Sequence, residues 1–165
     1  MKRIAKFDKV SFAQFLKDMA CFNYSEEEVK LIYDNINLPK RSTRGSAGYD
    51  FYIPFDAKLA LNEALVIPTG IRVNITESWF LSVFPRSSMG FKYHMRLANT
   101  VGIIDSDYYN ALNEGHIMIK IINGDVRELV LNKNDRFAQG IFTEFGITVD
   151  DEESSERFGG IGSTN

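Results

Sequence analysis

From residue 40 onward the chain alternates between short apolar segments and turn residues, and this pattern restricts the fold more than any other feature. Aromatic and β-branched residues, which favour strands, are concentrated in the segments, and Gly, Asn, Asp and Pro lie between them. Short strands at this spacing are typical of an all-β barrel or jelly roll. We therefore predict a mainly β, jelly-roll-like barrel with strands in FYIPFDAKLAL, ALVIPTGIRVNI, WFLSVFP, HIMIKIIN and RELVLNKNDRFAQGIFTEF.

Residues 11–38 carry a helical pattern instead. They follow KRIAKFDKV, whose alternation predicts a strand. Ser11 with Gln14 and Ser25 with Glu28 each match the capping box that starts a helix, and apolar residues at helical spacing follow both pairs. A proline ends the second run. We predict a helical hairpin inserted near the N-terminus.

Two acidic residues, Asp105 and Asp107, directly follow the apolar run 101–104. A second apolar run, 117–122, comes about ten residues later. Two apolar segments joined by a polar, acidic bend predict a β-hairpin with a site at its mouth.

The composition is that of an ordinary globular protein and bounds its partners. With 165 residues, 44% of them hydrophobic and 25% charged, the chain fits one domain, 1–165. A net charge of -3 argues against general nucleic-acid binding. No apolar run approaches the ~18 residues that span a membrane, and the start resembles neither a signal nor a transit peptide. We expect a soluble, cytoplasmic protein.

Few residues suit metal or thiol chemistry. The single cysteine, Cys21, excludes an internal disulfide and a multi-cysteine zinc site, and we expect it to be a small buried apolar residue. We expect surface or loop packing, not catalysis, of the two histidines, His94 and His116.

Three further segments suit phosphate. Arg86, Ser87 and Ser88 in PRSSMG offer a guanidinium fork and two hydroxyls. Gln139 lies in DRFAQGIF, and the terminal GGIGSTN offers backbone N–H groups and hydroxyls but lacks the lysine of a P-loop. Taken singly, these segments are more typical of surface turns and of a hydrogen-bonded strand glutamine.

Taken in order, five segments resemble the motifs of the homotrimeric dUTPase (dUTP diphosphatase) family: SAGYDF, PRSSMG, NTVGIIDSDYY with GHIMIKIIN, DRFAQGIF and GGIGSTN. The resemblance implies a dUTPase β-barrel, to whose usual core the 11–38 insertion does not belong. It further implies a homotrimer with shared active sites that hydrolyses dUTP to dUMP and pyrophosphate.

The resemblance also implies a role for individual residues. Asp105 would activate the attacking water, Tyr108 would lie against C2′ of the sugar, and Asp50 would belong to the network supporting the site. Phosphates would be held by Arg86, Ser87, Ser88 and Gln139, and uracil by Asn99 with the backbone of Ile103, Ile104 and Met118.

The C-terminal segment 150–165 is expected to be mobile and to close over the active site, because it is too polar to form core. In it, the resemblance assigns Arg157, Ser163 and Thr164 to the γ-phosphate and Ile161 and Gly162 to the cover of the nucleotide. Mg²⁺ is the implied cofactor, carried by the triphosphate and water because no acidic pair has protein-ligand spacing.

This chain departs from the family pattern in its tail and in its third motif. Ile161 stands where the family has a phenylalanine that stacks on uracil, so Phe158, Tyr109 or His116 could substitute. The arginine of the tail motif, Arg157, lies nearer to the glycine pair than is usual, and YNALNE lengthens the hairpin turn.

Two other functions stay open at this point. A dCTP deaminase shares the fold, but Lys120 occupies the position of its catalytic glutamate. A phage-type regulatory binding protein could instead use 11–38 to bind a partner protein.

Overall fold

A computed structural model describes residues 2–155 and 159 of the chain. The twelve strands are β1 (Ala5–Lys9), β2 (Lys40–Arg41), β3 (Tyr49–Tyr52), β4 (Ala57–Leu59), β5 (Ala64–Pro68), β6 (Ile71–Ile75), β7 (Trp79–Pro85), β8 (Arg96–Leu97), β9 (Gly102–Ile104), β10 (Met118–Ile122), β11 (Leu129–Leu131) and β12 (Arg136–Glu144). The helices are α1 (Phe12–Asp18), α2 (Glu26–Asp34), α3 (Ser87–Tyr93) and a 3₁₀ helix over Ser106–Asn110.

The strands form four antiparallel sheets. Five strands make the largest sheet, in the order β2-β3-β12-β7-β9, and three make the sheet β5-β10-β8. β1 pairs with β6, and β11 pairs with β4. Apolar side chains from the strands and from both N-terminal helices meet in one buried cluster. Strands make up most of the regular structure, so the prediction of a mainly β fold is confirmed.

The predicted pairing of 101–104 with 117–122 is wrong. β9 pairs with β7 at the edge of the five-stranded sheet, whereas β10 pairs with β5 and with the short strand β8. A two-residue strand such as β8 gives no periodic signal in the sequence, whereas the apolar run at 101–104 gives a strong one and so favours the wrong pairing. Asn99 and Asp105 therefore lie where the chain leaves one sheet for the other.

α1 and α2 lie where the two capping patterns predict helices. Ser25 and Glu28 form a complete capping box at α2. Ser11 caps α1 by accepting a hydrogen bond from the Gln14 backbone N–H at 3.1 Å, but the Ser11 N–H donates to Glu114 instead of Gln14. The start of α1 is thus bound to a loop distant in sequence.

Cys21 is exposed, so the prediction that it is buried is wrong. It lies in the turn after α1, where Met19 is buried in the core cluster and the Phe22 ring packs 4.8 Å from that of Phe55. The larger apolar side chains take the available core positions and leave the small thiol outside.

Within the described residues no helix has the length and apolar character needed to cross a membrane.

Candidate functional site

Asp50 on β3 is buried between two arginines. Its Oδ1 lies 3.2 Å from Arg86 Nε, and its Oδ2 accepts a hydrogen bond from Arg136 Nη1 at 3.1 Å. The Asp50 side chain is 9% exposed, whereas those of Arg86 and Arg136 are 26% and 40% exposed. One carboxylate cannot balance two guanidinium groups, so this cluster presents a net positive charge to solvent.

Strand pairing brings Gln139 to the same place. Gln139 on β12 is opposite Asp50 on one side and Phe84 of β7 on the other. Its Nε2 donates to the carbonyl oxygen of Pro85 at 3.2 Å, one residue before Arg86. We call Asp50, Arg86, Arg136 and Gln139 the arginine cluster.

Ser87 and Ser88 form the first turn of α3, a helix that the sequence pattern did not predict. Arg86 is the N-cap residue, with extended backbone, and makes no side-chain capping bond. N–H groups in the first turn of a helix have no intrahelical acceptor and favour anions. The two serines therefore add backbone donors, as well as hydroxyls, beside the arginine cluster.

Asp105 directly follows β9 and is the N-cap residue of the 3₁₀ helix, but its side chain makes no capping hydrogen bond. Tyr108, in the helix, is 3% exposed, and its hydroxyl donates to the carbonyl oxygen of His116 at 2.9 Å. Asn113 Nδ2 donates to the same hydroxyl at 2.8 Å. The 3₁₀ helix is thereby tied to the loop that leads into β10.

The predicted uracil residues lie around the same crossover between the sheets. Asn99 is exposed, one residue beyond Ala98, whose N–H donates to the Lys120 carbonyl oxygen in the β8–β10 pair. Ile103, on edge strand β9, is 53% exposed. Ile104 is the last residue of β9, and Met118 the first of β10; both are half-buried.

The arginine cluster and Asp105 lie toward opposite ends of β7. β9 runs antiparallel to β7 with Ile104 opposite Leu81, so Asp105 lies toward the Trp79 end, whereas Arg86 follows the Pro85 end. From Leu81 to Arg86 a strand covers roughly 16 Å, at about 3.3 Å per residue. Within one chain, Asp105 and the arginine cluster are therefore separated along the length of β7.

Five predicted site residues lie outside the described residues: Arg157, Ile161, Gly162, Ser163 and Thr164. Phe158, one of the three substitutes for the missing stacking ring, lies outside them too.

The other two candidates for the missing stacking ring, His116 and Tyr109, lie within the described residues. His116 is fully buried in the loop before β10, so it cannot cover a base; of the two expected environments, surface or loop packing, it occupies the second. The guanidinium carbon of Arg72 lies 4.2 Å from the centre of the Tyr109 ring. The Tyr109 hydroxyl donates a hydrogen bond to Asp8 Oδ2 at 3.4 Å. Tyr109 is therefore already used in packing.

Arg136 and Glu114 were not singled out from the sequence. Arg136 lies in the same segment as Gln139. Asp50, an isolated acidic residue, could have indicated that a basic partner such as Arg136 exists, because a buried carboxylate needs partners. Glu114 accepts from the Ser11 N–H at 2.7 Å and from the Ser11 hydroxyl at 2.6 Å. Its partner is remote in sequence, so no local pattern could reveal it.

In the described part of the chain, no three His, Cys, Asp or Glu side chains are grouped to hold a metal ion. Asp50, the carboxylate of the arginine cluster, is already bound by two arginines. Mg²⁺ usually keeps several waters and takes phosphate oxygens with one or two carboxylates. The residues therefore fit Mg²⁺ that arrives on a phosphate ligand, and not Mg²⁺ in a protein cage.

Comparison with known proteins agrees with this arrangement. The family model described as dUTPase matches residues 34–165. A deoxyuridine 5′-triphosphate nucleotidohydrolase of Lactococcus lactis is 42% identical over 142 residues, 83% of this chain and 95% of the relative. The corresponding protein of Burkholderia lata is 37% identical and covers 77% of this chain and 88% of its own.

Solved structures give the same result. The crystal structure of a dUTPase from Streptococcus mutans is 31% identical, with a TM-score of 0.65, over 86% of this chain and 97% of its own. The dUTPase of Staphylococcus aureus phage phi11 shares the fold at 19% identity and a TM-score of 0.64, over 94% of this chain and 98% of its own. The chain belongs to the dUTPase family.

Proposed function

We propose that this protein hydrolyses dUTP to dUMP and pyrophosphate. One observation carries the proposal. A solvent-facing arginine cluster suited to a triphosphate and a separate carboxylate, Asp105, beside an exposed strand edge supply the two halves of such a site. Membership of the dUTPase family supports the choice of dUTP.

The arginine cluster would bind the phosphates. Asp50 holds the guanidinium groups of Arg86 and Arg136 in place, and the net positive charge of the cluster favours an anion. Ser87, Ser88 and the first turn of α3 add donors, and Gln139 adds an amide on the adjacent strand. Mg²⁺ bound through the triphosphate and water would neutralise part of its negative charge.

The chemical step would be in-line attack of water on the α-phosphorus. Asp105 accepts the proton of that water as the new phosphorus–oxygen bond forms and the bond to the oxygen bridging to the β-phosphorus breaks. The leaving pyrophosphate takes the electron pair of the broken bond, and the arginine cluster stabilises its charge.

The uracil would lie at the crossover between the two sheets. β9 is the edge of its sheet, so the backbone N–H and C=O groups on one side of Ile103 and Ile104 face away from β7. Asn99 lies between β8 and β9, and Met118 begins β10, the strand that pairs with β8. Backbone donors and acceptors on an edge strand can pair with a base as they pair with another strand.

The tail would complete the site. Its proposed contacts, from Arg157, Ser163 and Thr164 to the γ-phosphate and from Ile161 and Gly162 over the base, rest on the resemblance to the family's fifth motif and on residue type. An arginine, two hydroxyls and glycine N–H groups suit a triphosphate.

The active protein would be a homotrimer with shared sites. Asp105 and the arginine cluster of one chain lie toward opposite ends of β7: Leu81, opposite Ile104, is roughly 16 Å along the strand from Arg86, and Asp105 lies one residue farther. A general base must lie within hydrogen-bonding reach of the water it activates, so this separation is too large for one substrate. A neighbouring subunit that supplies its arginine cluster to Asp105 removes the difficulty.

Mixing two inactive variants tests this sharing. Asp105→Asn and Arg86→Ala, each expected to be nearly inactive alone, are unfolded together in equal amounts and refolded. Every mixed trimer then contains one site with neither substitution, so random assembly restores about a quarter of wild-type activity. Activity no greater than the mean of the separate variants would show that each chain builds its own site.

Tyr108→Ala is expected to reduce sugar selectivity. In UTP, the ribose 2′-hydroxyl would be buried against the tyrosine without a hydrogen-bond partner, which costs roughly 1–3 kcal/mol. This cost corresponds to about a five- to 150-fold preference in kcat/KM for dUTP over UTP, which the substitution should reduce. Steady-state kinetics with both nucleotides measure the ratio. Tyr109→Ala, on the adjacent residue, is the control and should leave the ratio unchanged.

The overall function is tested by pyrophosphate release from dUTP, with dCTP as the comparison. We expect rapid release from dUTP and little from dCTP. Ammonia release from dCTP would indicate a deaminase instead, although the exposed Lys120 on β10 stands where that reaction uses a glutamate. No turnover of either nucleotide would refute the proposal.

A further inference from the structure

Polar contacts at both ends of α1 join this helix to the loop between the 3₁₀ helix and β10. Ser11, at the start of α1, binds Glu114 through its backbone N–H and its hydroxyl. Asp18, at the end of α1, lies 2.5 Å from Nδ1 of the buried His116. The whole length of α1 is thereby fastened to one short loop.

His116 is held from two sides, and its proton position follows from its partners. The Gly70 N–H donates to Nε2 at 2.7 Å, so Nε2 must carry a lone pair. In the neutral ring Nδ1 then carries the proton and donates it to the Asp18 carboxylate. One nitrogen is bound to the barrel and the other to α1, which fixes the orientation of the ring.

Asp18 is a charged acceptor in this arrangement. Burial raises the pKa of its carboxyl, but hydrogen bonds from His116 and Gln14 outweigh burial and leave the pKa below its ordinary value of 3.8. Gln14 Nε2 donates to the same Oδ2 at 2.7 Å. Hydrogen bonds to an ionised acceptor are stronger than neutral ones, so the Asp18–His116 contact is a strong link between α1 and the loop.

The backbone of His116 in turn holds Tyr108. The Tyr108 hydroxyl donates to the His116 carbonyl oxygen at 2.9 Å. Gly115 has a φ of +68°, and a Cβ there would lie 2.6 Å from the Tyr108 carbonyl oxygen and 2.8 Å from Tyr109 Cα. The loop therefore packs directly on the 3₁₀ helix, and a shift of His116 would move Tyr108.

We propose that α1 positions Tyr108 through the Asp18–His116 pair, so that the inserted helices set how strictly the enzyme selects 2′-deoxyribose. The inference rests on the proposed function, in which Tyr108 contacts the sugar. Asp18 and His116 are positioning residues, because they act on the nucleotide only through Tyr108.

The test compares Asp18→Ala with Asp34→Ala. Asp34 is an exposed residue of α2 that forms an ion pair with Lys30, so its substitution alters the insertion without touching the loop. Asp18→Ala should lower the ratio of kcat/KM for dUTP over UTP by about three- to tenfold, within the range found for residues that couple to a site indirectly. Asp34→Ala should leave the ratio unchanged, and Asp18→Asn, which keeps an acceptor oxygen, should restore part of it.

A double-mutant cycle separates positioning from simple support of the fold. In a Tyr108→Ala background, Asp18→Ala should change the ratio no further, because the residue through which it acts is gone. An unchanged ratio in Asp18→Ala, or an equal fall with and without Tyr108, would overturn the proposal. If the alanine variant does not fold, Asp18→Asn replaces it in the cycle.

Amide hydrogen exchange gives a second readout that needs no turnover. Exchange over residues 108–116 should be faster in Asp18→Ala than in Asp34→Ala. Unchanged exchange would show that Asp18 does not hold this loop and would overturn the inference. A wild-type protein that fails to hydrolyse dUTP refutes the proposed function separately, while the exchange result still decides whether Asp18 positions the loop.

Discussion

Asp105→Asn is expected to lower kcat by about 10²–10⁴ while leaving the melting temperature and dUTP affinity nearly unchanged. The amide matches the carboxylate in size and can still accept a hydrogen bond from water, but it cannot take the proton. Asp105 lies at the junction of β9 and the 3₁₀ helix and makes no side-chain capping hydrogen bond there, so the substitution removes no helix cap. Steady-state kinetics, calorimetric titration with a non-hydrolysable analogue and thermal melting measure the three quantities.

The adjacent acid provides the control for this experiment. Asp107 is exposed and lies in the first turn of the same 3₁₀ helix. Asp107→Asn makes an identical change of charge two residues away, and we expect kcat to stay within about twofold of wild type, because surface substitutions act weakly. Equal losses in both variants would mean that local charge, and not a general base, accounts for the effect.

The sequence predicted most reliably those features that local chemistry decides. Ser25 and Glu28 form their capping box at α2 because both partners lie within one turn of helix. The class of the fold followed from short, strand-favouring apolar segments separated by turn residues, a pattern that local propensity decides. Asp50 and Arg86 were both singled out, although their contact depends on pairing that the sequence does not display.

Errors occurred where distant residues decide the outcome. One of the two partners of β10 is the two-residue strand β8, and tertiary packing alone stabilises so short an element. His116 is buried because α1 covers it and supplies Asp18, a residue remote in sequence. Arg136 was missed for the same reason, since its role depends on the pairing of β3 with β12.

Asp50→Asn is expected to lower kcat/KM by about 10²-fold, because small displacements of binding groups carry costs of that size. Each carboxylate oxygen serves a different arginine, Oδ1 facing Arg86 and Oδ2 facing Arg136. An amide offers one oxygen, and its NH₂ group would face the donors of the other guanidinium. The substitution removes one hydrogen bond and the only negative charge of the arginine cluster, so Arg86 or Arg136 must turn toward solvent.

The same substitution should lower the free energy of unfolding by about 1–3 kcal/mol, the usual cost of losing a hydrogen bond to a charged group. Urea denaturation measures this loss. Asp56→Asn is the control: Asp56 is exposed and accepts a hydrogen bond from the Lys133 N–H at 2.6 Å, outside the arginine cluster. It should leave kcat/KM unchanged.

A second substitution separates the loss of the acceptor from general disruption of the site. Arg136→Met keeps an unbranched apolar side chain at this position but carries no donor that needs an acceptor. In the wild-type background, Arg136→Met leaves Oδ2 of Asp50 buried without its hydrogen-bond donor. In the Asp50→Asn background, the same substitution removes an arginine that has already lost its carboxylate. Arg136→Met should therefore cost less stability in the Asp50→Asn background than alone, by about 0.5–3 kcal/mol of coupling. Strictly additive costs would mean that the two side chains do not depend on each other and that Asp50 does not hold Arg136 at the site.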